Sequence, residues 1–389
     1  MEDWNDPCNI DIENLIQIVG KHVESWTNVK DPTDASITKL SGLTNVTCLV
    51  KARDKSIQPR YVIFKAFKKG LCDRNLEGTV FKALSDQGEG PRWYYQNENY
   101  RIEESYESKS LTIFEMRNPV ILKQVIEKTF KFNHNQALKE KLLEIGENKY
   151  LTQVQTLRND WIPKWFDKYH QLYDKITVLE YKEAMNFAKD TILREDIYDY
   201  IDGLSYQMQE DVTKLIVSHN DIQEGNILSM RKDATKLVII DYEYTSFGNR
   251  EYDLAHIFNE LCMDYTYPCF PFMKTYKENS LSKEEYEAYS KYYLELYHQN
   301  IYNGDLSETD YVAQELPNFL ESLYCSMILK GINSSAWSIL MLTESQLNEE
   351  ILNYACITLK LQMNEYFLEH DFIKEAVEAR IARYNASKN

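Results

Sequence analysis

The sequence has no C-x-x-C pair, no excess of basic charge, no internal repeat and no low-complexity linker. Its seven cysteines, at positions 8, 48, 72, 262, 269, 325 and 356, are odd in number and scattered. That argues against a disulfide framework or a zinc cluster and suits reduced thiols. No run of about eighteen apolar residues occurs, so no membrane-spanning helix is expected. The N-terminus, MEDWNDPCNIDIENL, lacks the charged-then-apolar layout of a secretory signal. Basic side chains number 44 against 61 acidic ones, a net charge of −17. Nucleic acid and anionic membrane surfaces reward the opposite sign and are not expected as partners. A soluble, cytoplasmic protein without stable membrane insertion is the expectation, and a cationic small molecule would suit its charge.

Within these limits the chain is well supplied. Its 389 residues are 43% hydrophobic and include 29 tyrosines. That is enough for a folded, enzyme-like body of two lobes.

The most informative stretch is 219–243. His219-Asn-Asp221-Ile-Gln223-Glu224-Gly-Asn226 is followed by the apolar run Leu237-Val-Ile-Ile240 and then Asp241-Tyr-Glu243. Phosphoryl transfer needs a carboxylate facing the acceptor hydroxyl and oxygen ligands for Mg²⁺ on the nucleotide phosphates. An Asp base, an Asn further along the same loop and a second Asp behind a short strand meet those needs in kinases. Asp221, Asn226 and Asp241 have that order and spacing. A lone H-x-D is usually an ordinary turn; the second acid behind a β-branched run shifts the balance to function. Asp221 is the candidate base, and Asn226 and Asp241 are the candidate Mg²⁺ ligands. Gln223 and Glu224 either order the loop or reach substrate. Glu243 either addresses the metal or steadies the loop. His219 is expected to brace the loop backbone and not to accept the proton.

Taking the chain in order, residues 10–24 read as a leading helix, and strands flank Ser41-Gly42. Lys65 sits on a strand, Arg60-Tyr-Val-Ile-Phe-Lys65-Ala-Phe, and Glu77 on a helix over 75–84. A strand Lys paired with a helix Glu holds nucleotide phosphates in kinases. After Asn118-Pro119 the pattern turns mainly helical, which places the lobe boundary near 110, with lobes of 1–110 and 111–389. Helices are expected within 119–146, over 178–211 and 283–302, and within 308–370. The tail beyond about 384 is expected to fray.

The wording HNDIQEGNIL, then IDYEYTSFGNREYDLAHIFNE, closely resembles the signatures of choline and ethanolamine kinases, with Gln-Glu-Gly nearer the choline branch. The resemblance implies an α+β, bilobal protein-kinase-like fold, with a small N-lobe built on an antiparallel sheet and a large, mainly helical C-lobe. It implies ATP and Mg²⁺ as cofactors and an amino alcohol as substrate. The reaction would be phosphorylation of choline to phosphocholine, the first step of the CDP-choline route to phosphatidylcholine. Ethanolamine kinase or a dual activity is the nearest alternative, an aminoglycoside-type kinase a more distant one, and a catalytically silent binding protein the non-enzyme one. A homodimer is expected on the same ground. No A-P-E element follows Asp241, which argues against a protein kinase.

Residue by residue, the resemblance assigns the nucleotide to Ser41, Gly42, Thr44 and Asn45, to Lys65 and Glu77, and to a hinge around Glu104 and Tyr106. It puts the cationic head group against Tyr244, Glu260, Tyr265, Trp337 and Tyr354, with Trp165 in a Pro-Lys-Trp element that precedes a helix. A trimethylammonium donates no N–H bond and relies on ring faces. One departure stands out. Where these kinases commonly carry a second Trp, three residues before Trp337, this chain has Ser334.

Overall fold

The computed structural model describes residues 12–40, 45–67, 73–145, 152–192, 194–208, 211, 214–344, 347–349 and 351–388. The chain divides into two compact units. One takes the residues up to Lys109, then Glu140–Ile145 and Leu228–Tyr244; the other takes Ser110–Lys139, Gly146–Ile227 and Thr245–Asn389.

The first unit opens with α1 (Ile12–His22). Strands β1 (Ala35–Leu40), β2 (Asn45–Ala52) and β3 (Tyr61–Phe67) follow. Next come α2 (Arg74–Gln87), β4 (Trp93–Gln96) and β5 (Tyr100–Glu104). The strands form an antiparallel sheet in the order β1-β2-β3-β5-β4. Alternation sorts its two faces. Val46, Val50, Val62, Phe64 and Ala66 join Leu15, Ile16, Val19 and Trp26 in one core. Lys65, between Phe64 and Ala66, therefore belongs to the opposite face; it pairs in register with Thr47 and Arg101. Helix α2 starts where the Asp73 side chain accepts from the Asn75 and Leu76 N–H groups. It ends at Gly88, whose φ of 70° is the left-handed stop that glycine takes without strain.

Further strands are β6 (Ser108–Ser110), β7 (Ile216–Ser218), β8 (Ile227–Met230), β9 (Asp233–Ile239) and β10 (Ser246–Gly248). They pair as β6-β8-β9 and as antiparallel β7-β10.

The second unit is mainly helical. It begins with α3 (Ile113–Met116), α4 (Pro119–Asn133) and the first turn of α5 (Gln136–Glu144), whose remainder from Glu140 is counted with the first unit. It continues with α6 (Gln153–Thr156). Helices α7 (Ile162–Leu172), α8 (Leu179–Ile192), α9 (Ile197–Leu204) and α10 (Tyr252–Glu260) follow. Then come α11 (Lys283–Asn300), α12 (Glu308–Met341), α13 (Ile351–Leu368) and α14 (Asp371–Ser387). Their starts are legible: Asn118 caps α4 with Pro119 in the first turn, and Ser282 with Glu285 forms a capping box on α11. Helix α12 buries an unbroken stretch from Leu323 to Asn333, as befits a helix apolar nearly all round. Among the described residues no helix is long and apolar enough to cross a membrane.

Three sequence expectations change. The tail does not fray at 384: α14 runs to Ser387, because Arg380 donates to Glu321 and Ser322 of α12 and Lys388 pairs with Asp199. The span 178–211 is not one helix. It divides into α8 and α9, and Arg194 and Asp196 form an ion pair in the turn that leads into α9. The Pro-Lys-Trp element lies inside α7, and Pro163, which has no N–H to donate, follows directly on a π-helical turn over Leu157–Trp161.

Candidate active site

In the first unit the side chains in question form one buried ionic cluster. Lys65 Nζ lies 2.6 Å from Asp241 Oδ1 and 3.6 Å from Glu77 Oε1. Arg101 donates to the same Glu77 oxygen at 2.9 Å, and Arg74 to the other at 2.7 Å. Glu77 is only 1% exposed. Burial works against its charged form, but Lys65, Arg101 and Arg74 outweigh it and hold the carboxyl well below the usual range. Lys65 is likewise buried, and Asp241, Glu77 and Glu243 keep it charged. Glu243 Oε2 accepts from Asn45 Nδ2 at 3.0 Å and from Arg74 at 3.1 Å, contacts that order the segment after Asp241.

Strand β9 ends at Ile239, and Asp241 takes a φ of 66°. Left-handed backbone is uncommon outside glycine and re-aims the side chain at the strand end; Asp tolerates it better than most. Glu104 and Tyr106 brace the segment after β5: Glu104 Oε2 accepts from the Arg92 N–H at 3.0 Å, and Tyr106 donates to the Gly90 carbonyl at 3.1 Å. Ser41, Gly42 and Thr44 lie outside the described residues.

In the second unit the loop after β7 is held from below by Asp253 of α10, which is fully buried. Its carboxylate accepts from Ser218 Oγ (2.8 Å), the His219 N–H (2.7 Å), the Asn220 N–H (2.9 Å) and Asn133 Nδ2 (2.7 Å). Asn220 is left-handed at φ 69°, and its carbonyl accepts from Lys330 Nζ at 2.9 Å. His219 Nδ1 accepts from the Asp221 N–H at 3.2 Å, so the imidazole braces backbone. Asn226 Nδ2 donates to Asp221 Oδ2 at 2.7 Å and to the Asp221 carbonyl at 2.9 Å. That fixes the candidate base and leaves the Asn226 side-chain oxygen for another role. Gln223 accepts from the Gly225 N–H and closes the turn.

Farther along α10, Glu260 is 1% exposed. Its Oε1 lies 2.5 Å from Lys360 Nζ, and its Oε2 accepts from the Tyr265 hydroxyl at 2.7 Å. His256 stands between the two acids, Nε2 at 3.7 Å from Asp221 and Nδ1 at 3.6 Å from Glu260. Burial first, then Lys330 and Lys360, hold it well below its usual range and therefore neutral. Glu224 is buried beside Glu260. Burial and that neighbour push its carboxyl up to about 8, against hydrogen bonds from its own and the Tyr265 backbone. Its Oε2 has no hydrogen-bond partner among the described residues. Burial lowers Lys330 to about 8 despite Asp253, Asp221 and Glu260.

The remaining sequence candidates are more dispersed. Trp337 and Ser334 are half-buried on α12, and Tyr244 is half-buried at the end of the first unit. Tyr354 stacks on Tyr181 at 4.2 Å and donates to the Leu347 carbonyl. Trp165 is fully buried, 6.5 Å from the Tyr169 ring. Both serve packing. Sequence reasoning missed Arg74, Arg101, Asp253, His256, Lys330 and Lys360. A signal existed for the last two: each is a single cation within an apolar helical run, MILKGI and ITLKLQ, where a buried lysine needs a partner.

The family model described as choline/ethanolamine kinase matches residues 37–363. A choline/ethanolamine kinase of Rattus norvegicus is 26% identical over 348 residues, 85% of this chain and 80% of that protein. Among solved structures, a choline kinase of Cryptosporidium parvum superposes with a TM-score of 0.71 at 18% identity, covering 93% of this chain and 98% of that one. An ethanolamine kinase of Plasmodium vivax gives 0.63 at 18% identity, covering 93% and 90%. The fold is thus the α+β, two-lobed, protein-kinase-like one.

Proposed function

Because the chain belongs to the choline/ethanolamine kinase family, we propose that it transfers the γ-phosphoryl group of ATP to the hydroxyl of choline and of ethanolamine. The carrying observation is the loop of the second unit, where Asp221 is pinned through Asn226, His219 and the Asp253 brace. Asp221 receives the acceptor's hydroxyl proton as the phosphoryl group leaves ATP. A loose transition state asks for positioning more than for basicity, and the four bonds at Asp253 supply that rigidity. Lys65, held charged by Asp241 and Glu77, addresses the nucleotide phosphates.

Mg²⁺ suits the donors on offer: the Asn226 side-chain oxygen and the Asp241 carboxylate are hard oxygens. Among the described residues no group of three or more His, Cys, Asp or Glu is arranged to hold a metal. That is compatible with an ion that takes most of its ligands from water and phosphate. When bound, it would offset charge on the phosphates. The family resemblance also supports a cytoplasmic homodimer.

The test is a coupled assay of ATP turnover with Mg²⁺ and a panel of amino alcohols. Turnover with choline and ethanolamine is expected. None with any member would leave only a silent, kinase-shaped binding protein.

A further inference from the structure

Glu260 and Tyr265 are the carboxylate and ring assigned above to the acceptor's ammonium, yet an ammonium of the protein already faces both. Lys360, from α13, places Nζ 2.5 Å from Glu260 Oε1 and 5.3 Å from the centroid of the Tyr265 ring. Lys360 is 3% exposed. The second Glu260 oxygen is engaged by the Tyr265 hydroxyl. The geometry points to Lys360 as a specificity-determining residue, an internal cation that occupies the head-group subsite and turns the enzyme toward primary ammonium acceptors and away from quaternary ones. This rests on the amino-alcohol kinase reading above.

The reasoning is electrostatic and geometric. A trimethylammonium cannot donate a hydrogen bond, so its binding depends on carboxylate charge and ring faces. Lys360 cancels the first at Glu260 and covers the second at Tyr265. A protonated primary amine has another recourse, because three N–H donors can satisfy an acceptor that has none. Glu224, buried in the same cluster, presents a carboxyl oxygen without a partner among the described residues, and a carboxyl keeps acceptor capacity in either protonation state.

The experiment compares choline with ethanolamine on the same protein, so that any general loss of folding cancels in the ratio of their kcat/KM values. K360M keeps the length of the side chain and removes its charge. It should raise the choline-to-ethanolamine ratio about tenfold, equivalent to about 1.4 kcal/mol, whereas K360R should keep the wild-type ratio. Stripping one partner from a buried pair can unfold a protein, so a second comparison uses a neutral pair. E260Q alone leaves Lys360 unmatched and should be poorer toward choline, relative to ethanolamine, than E260Q/K360M. An unchanged ratio in K360M, or equal ratios in the E260Q and E260Q/K360M proteins, would overturn the assignment. Wild-type protein inactive on both acceptors would instead overturn the kinase reading itself.

Discussion

Asp253 illustrates how much of a kinase loop rests on one residue that touches no reactant. Its carboxylate accepts two main-chain N–H groups and two side-chain donors in a fully buried position. Asp253→Asn swaps acceptors for an amide that must donate, and should cost about 2–4 kcal/mol of stability by denaturant titration. If Asp221 is the base proposed above, Asp221→Asn should lower kcat by roughly 10²–10⁴ and leave nucleotide affinity nearly unchanged. A collapse of ATP binding with kcat preserved at saturation would reassign it. Asp241→Asn removes both a candidate Mg²⁺ ligand and the closest partner of Lys65, 2.6 Å away, so most of the turnover should be lost. Steady-state assays at saturating ATP and Mg²⁺ measure this, and wild-type kcat would show that Asp241 holds no metal. Trp337→Ala should weaken choline more than ethanolamine by about 1–2 kcal/mol, read from the two KM values. Equal losses would remove that ring from the head-group site.

Among the elements, the best-read ones declare themselves locally. The alternation in β2 and β3, the Asn118-Pro119 start of α4 and the apolar run before Asp241 are written in neighbouring residues, and these elements form where the pattern puts them. Helix α14 was not legible as an ordered end, because its anchor is distant: Arg380, 4% exposed, reaches Glu321 and Ser322 some sixty positions earlier in the chain. The Glu260–Lys360 pair escapes reading for the same reason, lying one hundred positions apart. Periodicity reports which face is buried, not which partner a buried charge will find. Arg380→Ala should destabilise the protein by about 2 kcal/mol, less than a fully buried pair would cost because Glu321 keeps some contact with water. A melt showing no change would mean that apolar contacts hold α14 without the arginine.

For the whole molecule, buried titratable groups set the dependence of stability on pH. The Glu224 carboxyl stands near 8 in the native protein against 4.5 for an ordinary glutamate. The native state therefore keeps a proton that the unfolded chain has released, and stability falls as pH rises from about 4.5 to about 8, by at most about 1.4 kcal/mol per pH unit. Lys330 runs the other way above that range. Its native value near 8 lies below the ordinary 10.5, so its share of stability grows from about pH 8 to 10.5. Glu77, held below its ordinary value, stabilises the fold above about pH 4.5 and loses that contribution in acid. Glu224→Gln should match wild type near pH 4 and exceed it at pH 8 in denaturant midpoint, and identical pH profiles would count against this account. The division of the chain has a consequence in time as well as in space. Lys65 and Arg74 are made early, while their partners Asp241 and Glu243 belong to a segment that rejoins the first unit only after Ile227. At ribosomal rates of roughly 5–20 residues per second, the nascent sheet waits on the order of ten seconds for its counter-charges. During translation that unit is an incomplete acceptor, finished by a segment that arrives after much of the second unit has already emerged.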